Sequence, residues 1–93
     1  MDNCFEHKKD IAGITDMKVL AEMIGDLHYE QLSILFSELH IKIKTDALKD
    51  KKAGRLKLAK KLWEACIKVE QAFFAIYEAW QISKPFMKPN NKD

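Results

Sequence analysis

Apolar residues between positions 56 and 82 recur at alternating intervals of three and four, which is the spacing of a heptad seam on an α-helix. The residues of this seam are Ala59, Leu62, Cys66, Val69, Phe73, Ile76 and Trp80. A second apolar row (Trp63, Ile67, Phe74 and Tyr77) lies on one side of the seam, and a column of alanines (Ala65, Ala72 and Ala79) lies on the other. At about 100° per residue this apolar arc covers roughly 240°, against ~100° for an ordinary amphipathic helix. The pattern therefore predicts a helix with at least two neighbours.

The preceding stretch of chain also has a helical period, and it is apolar on two sides. Its larger face consists of Tyr29, Leu32, Leu35, Phe36, Leu39 and Ile43, and a row on nearly the opposite side consists of Leu27, Ile34, Ile41 and Leu48. A helix with two apolar sides packs between two neighbours. We expect the larger face to meet the seam of the following helix. A short first helix, with Met17, Leu20, Ala21 and Ile24 on one face, would cover part of the opposite row.

Helix start and stop signals divide the chain into a flexible N-terminal arm (residues 1–14), one helical domain (15–85) and a C-terminal tail (86–93). Within the domain we predict helices at about 16–24, 27–51 and 55–83. Thr15 and Asp26 are the expected N-caps of the first and second helices, and Gly25 is expected to end the first. Lys84-Pro85 should stop the third helix, because proline disfavours a helical conformation in the residue before it.

A break near Gly54 predicts an antiparallel hairpin. If one helix ran straight through Gly54, the apolar faces on either side of it would be turned roughly 140° apart at ~100° per residue. A break lets the two faces meet, and the two helices have matching lengths of about 37 and 42 Å at 1.5 Å per residue. The predicted fold is therefore all-α: two long helices in an antiparallel hairpin, preceded by one short helix.

The surplus apolar surface predicts self-association. Two hairpins that pair in a four-helix-bundle-like assembly would cover it, and a twofold dimer is the commonest closed arrangement, although a higher oligomer would also do so. The predicted oligomer interface consists of Ile34, Ile41, Trp63, Ile67, Phe74 and Tyr77. A separate apolar patch of Trp80, Phe86 and Met87 at the open end of the hairpin is a candidate site for another protein. In the alternative, Phe86 and Met87 fold back over the first helix.

Charge is concentrated at the predicted hairpin tip. Residues 42–61 contain nine basic and two acidic side chains, a net charge of +7, whereas the whole chain carries +2 and the remainder therefore −5. The basic tip consists of Lys49, Lys51, Lys52, Arg55, Lys57, Lys60 and Lys61. Such a cluster favours salt-dependent binding to phosphates. It is also typical of a solvated turn that complements the dipole of the helix before it, and no aromatic side chain is interleaved for base stacking.

A second pattern relates to nucleic acid. Ala21, four residues before Gly25, resembles the turn of a helix-turn-helix DNA reader, which would imply a recognition segment starting at His28. Gln31 then stands where that motif has an apolar anchor, and the following helix is longer than the usual reader. The alternative is an ordinary helix that ends at a glycine.

The sequence favours no catalytic, metal or cofactor site. Cys4 and His7 have the spacing of half a zinc site, but no second closely spaced pair completes it. Cys66 lies on the predicted seam and is expected to be a core residue. Cys4 and Cys66 do not make a disulfide framework, and this favours a reducing, cytoplasmic setting. No charge-free stretch approaches the ~20 residues that cross a bilayer, so no membrane association is expected.

These observations predict a non-enzymatic, self-associating helical module for protein–protein interaction. The alternative is a small nucleic-acid-associated regulator that binds phosphates through the basic tip.

Overall fold

The structure, a computed structural model, describes residues 7–87. These residues form three α-helices, α1 (Met17–Gly25), α2 (Tyr29–Lys52) and α3 (Leu56–Ser83), and a 3₁₀ turn (Lys84–Phe86) follows α3. The helix bounds agree with the predicted ones to within two residues. None of the helices within the described residues is long and apolar enough to span a membrane.

The two long helices pack against each other as the predicted antiparallel hairpin. At the open end the ring of His28, just before α2, lies edge-on to the ring of Trp80 near the end of α3, with 4.7 Å between the ring centroids. At the tip Gly54 has a φ of +86°, in the left-handed region that favours glycine. The predicted break at Gly54 is therefore confirmed.

The predicted seam of α3 is confirmed. Each of its seven residues is buried or half-buried, with Ala59 and Cys66 the most enclosed at 7% and 5% exposure. Cys66 is thus a core residue, as expected.

The predicted inner face of α2 is confirmed only in part, because the helix is rotated slightly from the predicted position. Leu32, Phe36 and Ile43 are half-buried as predicted, whereas Tyr29, Leu35 and Leu39 are exposed. The row that α2 turns toward α3 consists of Ser33, Phe36, His40, Ile43, Ala47 and Asp50, all buried or half-buried. Its spacing of three and four matches the seam of α3, and the small Ser33 lines a groove together with the bulky Phe73.

The caps of α1 and α2 differ from the predicted residues by one or two positions. Asp16, and not Thr15, caps α1, its carboxylate accepting hydrogen bonds from the backbone N–H of Lys18 at 2.9 Å and of Val19 at 3.4 Å. His28, and not Asp26, caps α2, because its Nδ1 accepts from the backbone N–H of Glu30 at 3.2 Å. Gly25 is the last residue of α1 and has no positive φ, so its freedom is not used there.

The first helix does not cover the second apolar row of α2, contrary to expectation. No residue of α1 is buried, and the main packing among residues 7–87 is between α2 and α3, with a smaller contribution from the 3₁₀ turn against α3. A nine-residue helix is only about 14 Å long, which is short against a row that extends from position 27 to 48. That row consequently stays exposed.

The predicted arm and tail lie only partly within the described residues. In the part of the arm that is described, Ile11 and Ile14 exchange backbone hydrogen bonds of 3.1 and 2.8 Å around a tight turn. Residues 1–6 and 88–93, including Cys4 and most of the predicted tail, lie outside the described residues.

The radius of gyration is 16.4 Å. A compact domain of this length has a radius of gyration of about 12 Å, and the larger value is expected for a long hairpin.

Candidate interaction surface

Two shallow grooves run between α2 and α3 on the same side of the hairpin. The groove nearer the tip is lined by Ala47 and Leu48 from α2 and by Leu56, Ala59 and Trp63 from α3, with charged residues at its rim. The groove nearer the open end is lined by Ser33 and Ile34 from α2 and by Phe73, Tyr77 and Trp80 from α3. The grooves are thus built from the same rows of each helix, one near each end of the hairpin.

The heptad spacing of these rows places a set of large apolar side chains on this side of the hairpin, which we call the exposed apolar face. It consists of Ile34, Ile41 and Leu48 from α2 and Trp63, Ile67, Phe74 and Tyr77 from α3. Ile34, Ile41 and Leu48 are seven residues apart and therefore lie on one side of α2. All seven side chains are between 40% and 55% exposed. The structure thus brings together on one side of the hairpin the six residues predicted for the oligomer interface, and adds Leu48 to them.

The chain itself covers only about half of this face. The buried apolar residues among the described ones are Ala47, Ala59 and Cys66, all of them small, and no large side chain is fully buried. The opposite side of the hairpin has fewer large apolar side chains, since α2 presents Leu35 and Leu39 there and α3 presents its column of alanines. The larger apolar side is therefore the better candidate for an interface.

Polar groups lie beside the exposed apolar face, and Glu70 lies within it, seven residues from both Trp63 and Tyr77. The Nζ of Lys44 lies 5.8 Å from the centroid of the Trp63 ring, a cation–π arrangement. Nearer the centre, His40 Nε2 lies 3.7 Å from a carboxylate oxygen of Glu70. The side chain of Glu70 is 44% exposed and has this histidine as its neighbour.

The basic tip is only partly a solvated surface. Two hydrogen bonds to Asp50 hold Arg55 in the turn. The Nε of Arg55 donates to an Asp50 carboxylate oxygen at 2.7 Å, and its backbone N–H donates to the Asp50 carbonyl at 2.9 Å. Lys61 donates to Glu64 at 3.2 Å. The remaining five lysines of the tip are exposed side chains: Lys49, Lys51, Lys52, Lys57 and Lys60.

The predicted patch at the open end is split. Trp80 is half-buried in the seam between His28 and Lys84, whose Nζ lies 5.4 Å from the centroid of the tryptophan ring. Met87 is also half-buried, its sulfur 3.4 Å from the hydroxyl of Ser83. Phe86 is 81% exposed and so does not fold back over α1.

The possible metal ligands and the thiol of Cys66 were candidates for chemistry in the sequence. Within residues 7–87 no group of three or more histidine, cysteine, aspartate or glutamate side chains is placed to hold a metal ion. The thiol of Cys66 is buried in the seam, whereas a reactive thiol needs a basic, partly exposed setting. Cys4, half of the possible zinc pair, lies outside the described residues.

Sequence reasoning missed two contributors to the tip groove. Leu56, 63% exposed, stands seven residues before Trp63 and so belongs to the same side of α3. Leu48 was recognised in its row but not as a member of the interface. A heptad count extended to the first residue of α3 identifies Leu56, whereas the groove itself depends on the rotation of α2.

No protein-family model, curated protein or solved structure matches the chain. The case for a function therefore depends on the residues of the surface described above.

Proposed function

We propose that this chain is a non-enzymatic helical module that associates with a second copy of itself through the exposed apolar face, as part of a protein–protein interaction or structural role. The assembly would be a homodimer in which two hairpins form a four-helix bundle. A higher oligomer built on the same face is the variant of this proposal.

One observation carries the proposal: seven large apolar side chains are about half exposed on one face, while the buried apolar residues of the hairpin are two alanines and a cysteine. Contiguous apolar patches of this kind are rare on proteins that remain monomeric and mark interaction sites. Tryptophan and tyrosine, both present here, are also the residues that contribute most to interface energies. A second copy supplies a surface of the same shape and apolar character, which is what a twofold interface requires.

Sedimentation equilibrium of the full chain over a range of micromolar concentrations tests this proposal. The expected result is a mass that rises with concentration toward twice 10.8 kDa. A compact monomer at every concentration, with the helix content of the hairpin intact by circular dichroism, would refute it.

The six exposed lysines at the tip favour a second candidate, a regulator that binds nucleic-acid phosphates. Such contacts release counterions and weaken steeply as salt rises. The single arginine, Arg55, is already paired with Asp50, which leaves the tip without its best base-reading side chain. Submicromolar binding to duplex DNA at physiological salt, lost when Lys51 and Lys52 are reversed to glutamate, would establish this candidate in place of a purely protein-binding role.

A contact with a different protein is the remaining part of the proposal. Phe86, the most exposed large apolar residue among those described, is the better anchor for this contact, because Trp80 and Met87 are partly enclosed.

The proposed setting of the protein is reducing and cytoplasmic, and the buried thiol of Cys66 agrees with it.

A further inference from the structure

We infer that the two copies pack antiparallel, so that the basic tip of one hairpin lies beside the acidic open end of the other. This inference rests on the proposed self-association and adds the orientation of the second copy. It follows from how charge is distributed along the exposed apolar face.

The two grooves of that face have rims of opposite charge. Lys51 and Lys60 line the groove at the tip, and Glu30 and Glu38 line the groove at the open end. Each groove also has one residue of the other sign, but both are engaged within the chain. Glu64 at the tip accepts from Lys61, and Lys84 at the open end lies over the ring of Trp80.

Face-to-face packing of two hairpins allows two twofold arrangements. If the axis runs along the helices, the two tips lie side by side and bring together two segments that each carry nine basic and two acidic residues. If the axis runs across the helices, each tip meets the open end of the other copy, and the apolar face is covered equally well. Like charges within a Debye length of about 8 Å repel at physiological salt, and opposite charges attract. The antiparallel arrangement is therefore favoured.

The row of α2 that borders the apolar residues also favours the antiparallel arrangement. At intervals of seven it reads Glu30, Ser37, Lys44 and Lys51. When two copies of α2 lie antiparallel across the interface, Glu30 of one approaches Lys51 of the other, and Ser37 approaches Lys44. If the axis runs along the helices, α2 faces α3 of the other copy instead, so these pairs of opposite charge between two α2 helices are not formed.

Pulsed electron spin resonance distances between spin labels test the orientation directly. The label is placed at Ala53, an exposed residue of the turn, as Ala53→Cys in a Cys4→Ser, Cys66→Ala background. The 28 residues of α3 span about 42 Å at 1.5 Å per residue, so antiparallel packing separates the two tip labels by about 40 Å. A tip-to-tip distance below about 20 Å would overturn the inference and leave self-association standing. No dipolar interaction, together with a monomeric mass, would overturn both.

Charge exchange provides an independent test by sedimentation. Antiparallel packing predicts that Lys51→Glu with Lys60→Glu weakens the homodimer by about tenfold or more, since both junctions then oppose like charges. Glu30→Lys with Glu38→Lys should do the same. The quadruple variant, which carries the same four substitutions, should recover the dimer, as should an equimolar mixture of the two double variants.

The controls separate orientation from folding. Helix content by circular dichroism, compared among the four chains, identifies any loss that comes from unfolding. Parallel packing predicts that neither double variant is weaker than the natural chain, because each merely exchanges one pair of like charges for another. That result would refute the antiparallel arrangement.

Discussion

Replacement of Ile41 by alanine measures what the exposed apolar face contributes to self-association. Ile41 lies near the middle of α2 and is 47% exposed in the single chain. Because full burial of an isoleucine gains ~1.5–3 kcal/mol, about 1 kcal/mol is still to be gained on association. A twofold dimer contains the substitution twice, so we expect a loss of about 2 kcal/mol, or roughly a 30-fold increase in Kd.

Leu39→Ala is the matched control. Leu39 lies on the same helix and is 41% exposed, but it stands two residues away and therefore about 160° around the helix. The two substitutions remove similar side chains from similarly exposed positions of α2, so their direct effects on the hairpin should be close. Only Ile41→Ala should weaken the dimer.

Sedimentation equilibrium gives the Kd of each chain, and circular dichroism at the same concentrations reports its helix content. Equal weakening by both substitutions would show that association does not depend on this side of the hairpin. An unchanged Kd for Ile41→Ala would show that Ile41 is not at the interface. Either result would refute the assignment of the exposed apolar face.

Three further predictions concern the hairpin itself, each measured as the free energy of unfolding in urea. Gly54→Ala should lower the free energy of unfolding by about 1–2 kcal/mol, because φ is +86° there although nothing crowds an added Cβ. The control Gly25→Ala, at a helical residue with open space around it, should not lower the free energy of unfolding. Equal losses from the two substitutions would contradict the argument. His40→Leu should raise the free energy of unfolding by about 1 kcal/mol, because the Nδ1 of His40 is buried and makes no hydrogen bond within residues 7–87. A decrease would show that the pairing of His40 with Glu70 is stabilising. Asp50→Ala should lower it by about 1–3 kcal/mol, because it removes the carboxylate that Arg55 Nε donates to, and unchanged stability would refute this role.

The third helix was predictable because its pattern has one interpretation. Its seam alternates intervals of three and four without a polar residue, and neither a strand nor a different helical face fits that spacing. The break at Gly54 was predictable for a related reason, since only a turn brings the two helices face to face. Both expectations depend on periodicity alone, which a single sequence contains.

The rotation of α2 was not predictable from hydrophobicity. Its buried row includes Ser33, His40 and Asp50, and hydrophobic pattern reading places such residues outside. Two of them satisfy their polar groups close by: the Ser33 hydroxyl donates to the Glu30 carbonyl at 2.8 Å, and Asp50 accepts from Arg55. The apolar members of this row, Phe36, Ile43 and Ala47, are too few for hydrophobicity alone to select it.

The rotation of α2 also explains why the face exists. Because α2 turns this row toward α3, Ile34, Ile41 and Leu48 stay exposed on its other side. In the proposed dimer, formation of the hairpin and association of hairpins would draw on different side chains, the seam for the first and the exposed apolar face for the second. Because the buried apolar residues of a single hairpin are small, such association would add stability to the folded state by mass action. A substitution on the face should consequently lower the stability of the hairpin at high concentration and leave it nearly unchanged at concentrations where the chain is a monomer.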